Sequence, residues 1–140
     1  MIAAERIAEV MGLRRPVHSL TELSDAVTRG LPKSTLRHCV ERVVASPQER
    51  RRLMSRIVPE ATYKRRRTHL KPEESARTER VARVIATAEY VWDDAAQARR
   101  FLTTPHPELN GQAPLEIALS ELGARQVEEI LWKLAYGLPV

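Results

Sequence analysis

Few residues of this chain have the types and spacings that covalent chemistry needs. His18, His38, His69 and His106 are scattered, no HExxH or CxxC occurs, and the one cysteine, Cys39, has no histidine at metal-ligand spacing. Each histidine reads as a surface or capping residue, and Cys39, beside a helical apolar stripe, as a small inert core thiol. Asp93-Asp94 could be offered as an acid/base pair, but acidic residues at a helix start are ordinary complements of the helix dipole. Asn110-Gly111 is a turn, since a lone Gly cannot line a pyrophosphate. The expectation is a non-enzyme with no cofactor and no metal.

What the residue types do suit is binding. Lys64, Arg65, Arg66 and Arg67 form a basic run after Thr62 and Tyr63, and Arg50, Arg51 and Arg52 form another. Such residues reach phosphates and base edges, although cations also suit a helix C-terminus with no ligand at all. Near the other end, Trp132 and Tyr136 stand four residues apart, on one helical face with Arg125 and Glu129 and next to Lys133. Stacked aromatics beside an Arg make an interface hot spot, unless another helix of the same chain covers them.

The charge distribution separates the two groups. Residues 1–70 hold 15 Lys/Arg and 7 Asp/Glu, a balance of +8, whereas residues 71–140 hold 8 and 11, a balance of −3. A basic half attracts polyanions such as nucleic acid, and a mildly acidic half fits a protein partner better. The 140 residues are enough for one medium or two small domains, and one cysteine allows no intrachain disulfide. No apolar run approaches the roughly 20 residues of a membrane span, and Glu5, Arg6 and Glu9 interrupt any leader-like stretch, so a cytoplasmic protein is expected.

Apolar positions recur at spacings of three and four, which predicts an all-α fold. Helices are predicted over Ile2–Met11, ended by Gly12, and over Leu20–Arg29, started by the Ser19/Glu22 capping box and stopped by Gly30. Others are predicted over Lys33–Ala45, from Ser46-Pro47 to Arg56, and over Glu60–Arg67. The last two, joined by about three residues, have helix-turn-helix proportions with Glu60–Arg67 as the recognition helix. A long helix from Pro72 carries Val81, Val84, Ile85, Ala88, Val91 and Trp92 as a core stripe. Asp93-Asp94 restarts a helix to Leu102. Pro114 opens Leu115–Leu122, Gly123 breaks it, and Ala124–Tyr136 follows with Val127, Ile130, Leu131, Leu134 and Leu138 as its core face.

Phe101-Leu-Thr-Thr-Pro105, Leu109-Asn-Gly-Gln-Ala-Pro-Leu-Glu116, Gly123-Ala124 and Val127 through Gly137 together resemble the toxin-binding domain of the Xre/MbcA/ParS antitoxin family. The preceding half resembles that family's Xre-like N-terminal domain. Family members usually have Gly where this chain has Asn110 and Thr where it has Ala113; both changes preserve a tight turn. The resemblance implies a helix-turn-helix DNA-binding and dimerisation domain over 1–70 and a small helical toxin-binding domain over 71–140. It further implies a type II antitoxin that occludes the NAD-consuming active site of a RES-domain toxin and represses its own operon on operator DNA; a homodimer, assembling into a larger toxin-antitoxin complex, is expected because helix-turn-helix repressors commonly read two half-sites. Such toxins degrade NAD or use it to modify a target protein.

The expected DNA-binding residues are Arg50, Arg51, Thr62, Tyr63, Lys64, Arg65, Arg66 and Arg67. The expected toxin-binding residues are Arg125, Glu129, Trp132, Lys133, Tyr136, Gly137, Leu138, Pro139 and Val140. Residues 138–140 are expected to plug the toxin's substrate entrance, although chain ends commonly have no role. The alternative is a stand-alone helix-turn-helix regulator whose C-terminal half only dimerises.

Overall fold

The computed structural model describes residues 1–138. The chain runs through α1 (Ala4–Val10), α2 (Leu20–Arg29), α3 (Ser34–Val43), α4 (Pro47–Ile57), α5 (Glu60–Arg65), α6 (Pro72–Trp92), α7 (Ala95–Thr103), a 3-10 turn (Pro107–Leu109), α8 (Pro114–Ile117) and α9 (Glu121–Ala135). Among the described residues there is no strand, only the isolated bridges Pro32–His69 and His106–Gln112. The all-α expectation holds.

Local chemistry sets most helix starts. The Ser19 hydroxyl accepts from the Glu22 amide at 3.1 Å, while the Glu22 carboxylate accepts from the His18 amide at 2.8 Å. Ser46 accepts from Glu49 N at 3.4 Å and Asp94 from Gln97 N at 2.9 Å, each satisfying an amide of the first turn. Gly30, at φ +99°, ends α2 where the chain passes so close to Leu70 that an added Cβ would lie 2.4 Å from its carbonyl oxygen.

α6 is the axis of the molecule. Val81, Ala82, Val84, Ile85 and Ala88 are fully buried, with α1, α2 and α3 packed on the helix from the N-terminal side of the sequence and α7 and α9 from the C-terminal side. One hydrophobic cluster joins Ile2, Leu36, Val84 and Leu131. The expected dividing line at 70/71 therefore falls at the start of a helix that both halves share. Arg42 of α3 pairs with Glu89 through two hydrogen bonds of 2.7 Å, and Arg83 lies 2.7 Å from Glu128 of α9.

Three expectations are corrected. α5 ends at Arg65 rather than Arg67, because Arg66 takes an extended backbone, φ −70° and ψ 127°, and turns toward α6. Gly123 does not break a helix: α8 stops at Ile117, Ser120 caps α9 by accepting from Gly123 N at 3.0 Å, and Gly123 lies in the first turn of α9. A glycine is required there by packing, since a Cβ would fall 1.8 Å from the Ile117 carbonyl oxygen. Finally, the core face of α9 stops at Leu131; Leu134 is 36% and Leu138 54% exposed.

Candidate functional site

α4 and α5 are joined by Val58 and Pro59. With six residues and none fully buried, α5 is too short to be stable alone, so its placement depends on ties to other elements. Lys33, just before α3, supplies one set. Its ammonium donates to the carbonyls of Tyr63 and Arg66 at 3.0 and 2.9 Å and sits 4.4 Å from the Tyr63 ring centre. The Tyr63 hydroxyl donates back to the Lys33 carbonyl at 2.9 Å. Burial raises the phenol's pKa, with nearby Arg37 opposing the rise.

The first turns of α6 supply the other set. Glu74 accepts two hydrogen bonds from Arg66, at 2.9 and 2.6 Å, and one from Lys71 N at 2.9 Å. Ser75 accepts from Leu31 N at 2.8 Å, and Arg77 donates to the Ile57 carbonyl at the end of α4, also at 2.8 Å. Three neighbouring side chains of one helix thus fix the turn before α3, the end of α4 and the end of α5.

The expected DNA-binding residues separate accordingly. Arg51, Lys64, Arg65 and Arg67 are exposed; Lys64 lies 3.4 Å from Glu60, and Arg65 donates to half-buried Thr62 at 3.2 Å. Tyr63 and Arg66 face inward onto Lys33 and Glu74, and Arg50 donates to the Val44 carbonyl. A groove of about 630 Å³ between α3, α4 and α5 brings together Lys33, Arg37, Arg50, Arg51 and Lys64 against the carboxylates Glu41 and Glu60. Lys33 and Arg37 were not singled out from sequence. They precede the basic runs by many residues, and only the net charge of the half hinted at them.

On the acidic half, Trp132 stacks on Tyr136 at 6.3 Å and meets Tyr90 of α6 at 5.8 Å. The Arg6 guanidinium lies 5.0 Å from the Tyr90 ring centre, which extends the patch with a cation. Tyr136 is 73% exposed, and Arg125 and Glu129 border a shallow groove with Trp132, Leu122 and Met1. Tyr90 and Arg6 were also missed, because they come from other helices and share no spacing with Trp132. Gly137, at φ +69°, closes α9: its amide donates to Leu134 O at 3.2 Å and that of Leu138 to Lys133 O at 2.8 Å. The expected contacts Pro139 and Val140 lie outside the described residues.

Comparison with known proteins assigns both halves. A family model for the antitoxin Xre-like helix-turn-helix domain matches residues 22–83, and one for the antitoxin Xre/MbcA/ParS C-terminal toxin-binding domain matches residues 87–137. Antitoxin Xre of Pseudomonas putida is 34% identical over 119 residues, which cover 83% of this chain and 72% of that protein. The chain belongs to the Xre/MbcA/ParS antitoxin family. The family identifies it as an antitoxin of a toxin–antitoxin system, with a helix-turn-helix domain and a toxin-binding domain. The two matched segments meet inside α6, the helix whose first turns hold α4 and α5 and whose later turns hold α9. In this antitoxin the groove lies within the helix-turn-helix match, and Trp132, Tyr136 and Tyr90 lie within the toxin-binding match. No helix among the described residues is long and apolar enough to cross a membrane.

Proposed function

We propose that this antitoxin silences a RES-domain toxin by covering its NAD-consuming active site with the end of α9 and residues 138–140, and that it represses its own operon through α4 and α5 as a homodimer. The observation that carries the toxin part is the exposed apolar ridge of Leu134, Tyr136 and Leu138 beside Trp132. Exposed aromatic and aliphatic side chains grouped at one helix end have the composition of a binding hot spot. Arg125 and Glu129 line the groove on Trp132, Lys133 and Gly137 adjoin the ridge in the chain, and Pro139 and Val140 follow it. For DNA, the exposed cations Arg51, Lys64, Arg65 and Arg67 supply phosphate and base contacts from the helix-turn-helix.

The test uses tagged full-length protein beside a version ending at Gly137, each purified from the native host, with the co-purifying protein assayed for NAD consumption. A stoichiometric partner that is silent with the full chain and active with the shortened one supports the proposal. Equal silence with both removes residues 138–140 from the mechanism. A partner-free homodimer that loses DNA affinity on shortening turns the ridge into a dimer contact of a stand-alone regulator.

A further inference from the structure

We propose that Lys33 and Glu74 are positioning residues for DNA recognition, clamping α5 from elements that precede and follow it in the chain while touching no DNA themselves. The inference rests on the reading of α5 as the DNA-recognition helix.

The geometry makes the clamp specific to α5. The helix has six residues and no fully buried side chain, so apolar packing alone cannot define its angle against α4. The Tyr63 carbonyl, in the last turn, accepts from the Arg66 amide and from Lys33, which also donates to the Arg66 carbonyl one residue beyond the helix. A cation placed there also complements the negative end of the helix dipole. Beyond the helix, Arg66 is bound at two points by Glu74, a carboxylate that is 6% exposed and cannot rotate away to water. Lys33 and Glu74 grip the same short stretch, one at the Tyr63 and Arg66 carbonyls and the other at the Arg66 side chain. Arg66, the middle of the basic run, is therefore spent on holding its exposed neighbours Arg65 and Arg67 in place.

The consequence is opposite in sign to simple electrostatics. Removing the negative charge of Glu74 from a basic surface would tighten DNA binding if charge alone mattered. Loss of the clamp instead lets α5 tilt, which weakens contacts to base edges more than contacts to a uniform backbone.

The experiment measures affinity of the full-length protein, its Glu74→Gln and its Lys33→Met variants for a duplex carrying its own promoter region and for an unrelated duplex, across a salt series. Circular dichroism melts confirm that each variant is folded at the measuring temperature, and Lys33→Met keeps the test open if Glu74→Gln does not fold. The expected result is a loss of about tenfold or more on the promoter duplex for each variant, a smaller loss on the unrelated duplex, and an unchanged salt slope. A folded Glu74→Gln variant that binds as well as or tighter than the parent overturns the clamp. So does a Lys33→Met salt slope that falls by about one, which marks a direct phosphate contact. If the parent itself shows no preference for the promoter duplex, the recognition reading falls and takes the clamp with it, whereas the other failures leave that reading standing.

Discussion

Arg66 grips Glu74 with both ends of its guanidinium, at 2.9 and 2.6 Å, and so ties the chain just after α5 to the first turn of α6. The hydrogen-bonded guanidinium outweighs the opposing effect of burial and, with the Lys71 amide, holds the Glu74 carboxyl down at about 2, against an ordinary 4.5. The folded-state value is below the unfolded one, so the stabilisation is complete above the unfolded value and is lost as pH falls toward the folded one. Urea unfolding of the parent and Glu74→Gln should therefore show a stability gap that is constant above about pH 5 and shrinks between about pH 4.5 and 2. A gap that ignores pH would remove ionisation of Glu74 from the account.

Gly123→Ala should destabilise the fold by about 1–3 kcal/mol or more, because the new methyl meets a backbone carbonyl that cannot swing aside. Thermal melts would show it as a drop of several degrees. Gly111→Ala is the control for packing: at φ +75° it has backbone strain but nothing within 4 Å of the added Cβ, so its cost should be smaller.

Tyr136 and Trp132 should respond differently to alanine. Tyr136 is 73% exposed, so its loss should leave the melting temperature unchanged while weakening partner binding about tenfold. Trp132 packs on Tyr90 as well, so its removal should lower both stability and binding. Calorimetry for stability and surface-immobilised titration for binding separate the two, and equal behaviour would contradict the placement of Trp132.

Cys39 is fully buried, and burial pushes its thiol up to about 12. Iodoacetamide should leave it unmodified in the folded protein and alkylate it in urea, as read by intact mass. Rapid alkylation of the folded chain would show that α3 opens toward solvent.

Much of the candidate site was legible in the sequence. The basic runs at 50–52 and 64–67, the Trp132/Tyr136 pair and the antitoxin motifs were all visible as residues at short spacings. Lys33, Arg37, Glu74, Arg6 and Tyr90 were not, since each joins its surface from another element of the chain.

Helix starts at Ser19, Ser46 and Asp94 and the buried stripe of α6 follow from sequence alone, because a cap satisfies an amide three residues on and a stripe repeats within a few turns. Tertiary structure decided the rest. Whether Arg66 meets a phosphate or Glu74, whether Gly123 ends a helix or admits Ile117, and whether Leu134 is core or surface depend on which element packs alongside. Local chemistry leaves those choices nearly equal in free energy; burial and long-range partners are what separate them.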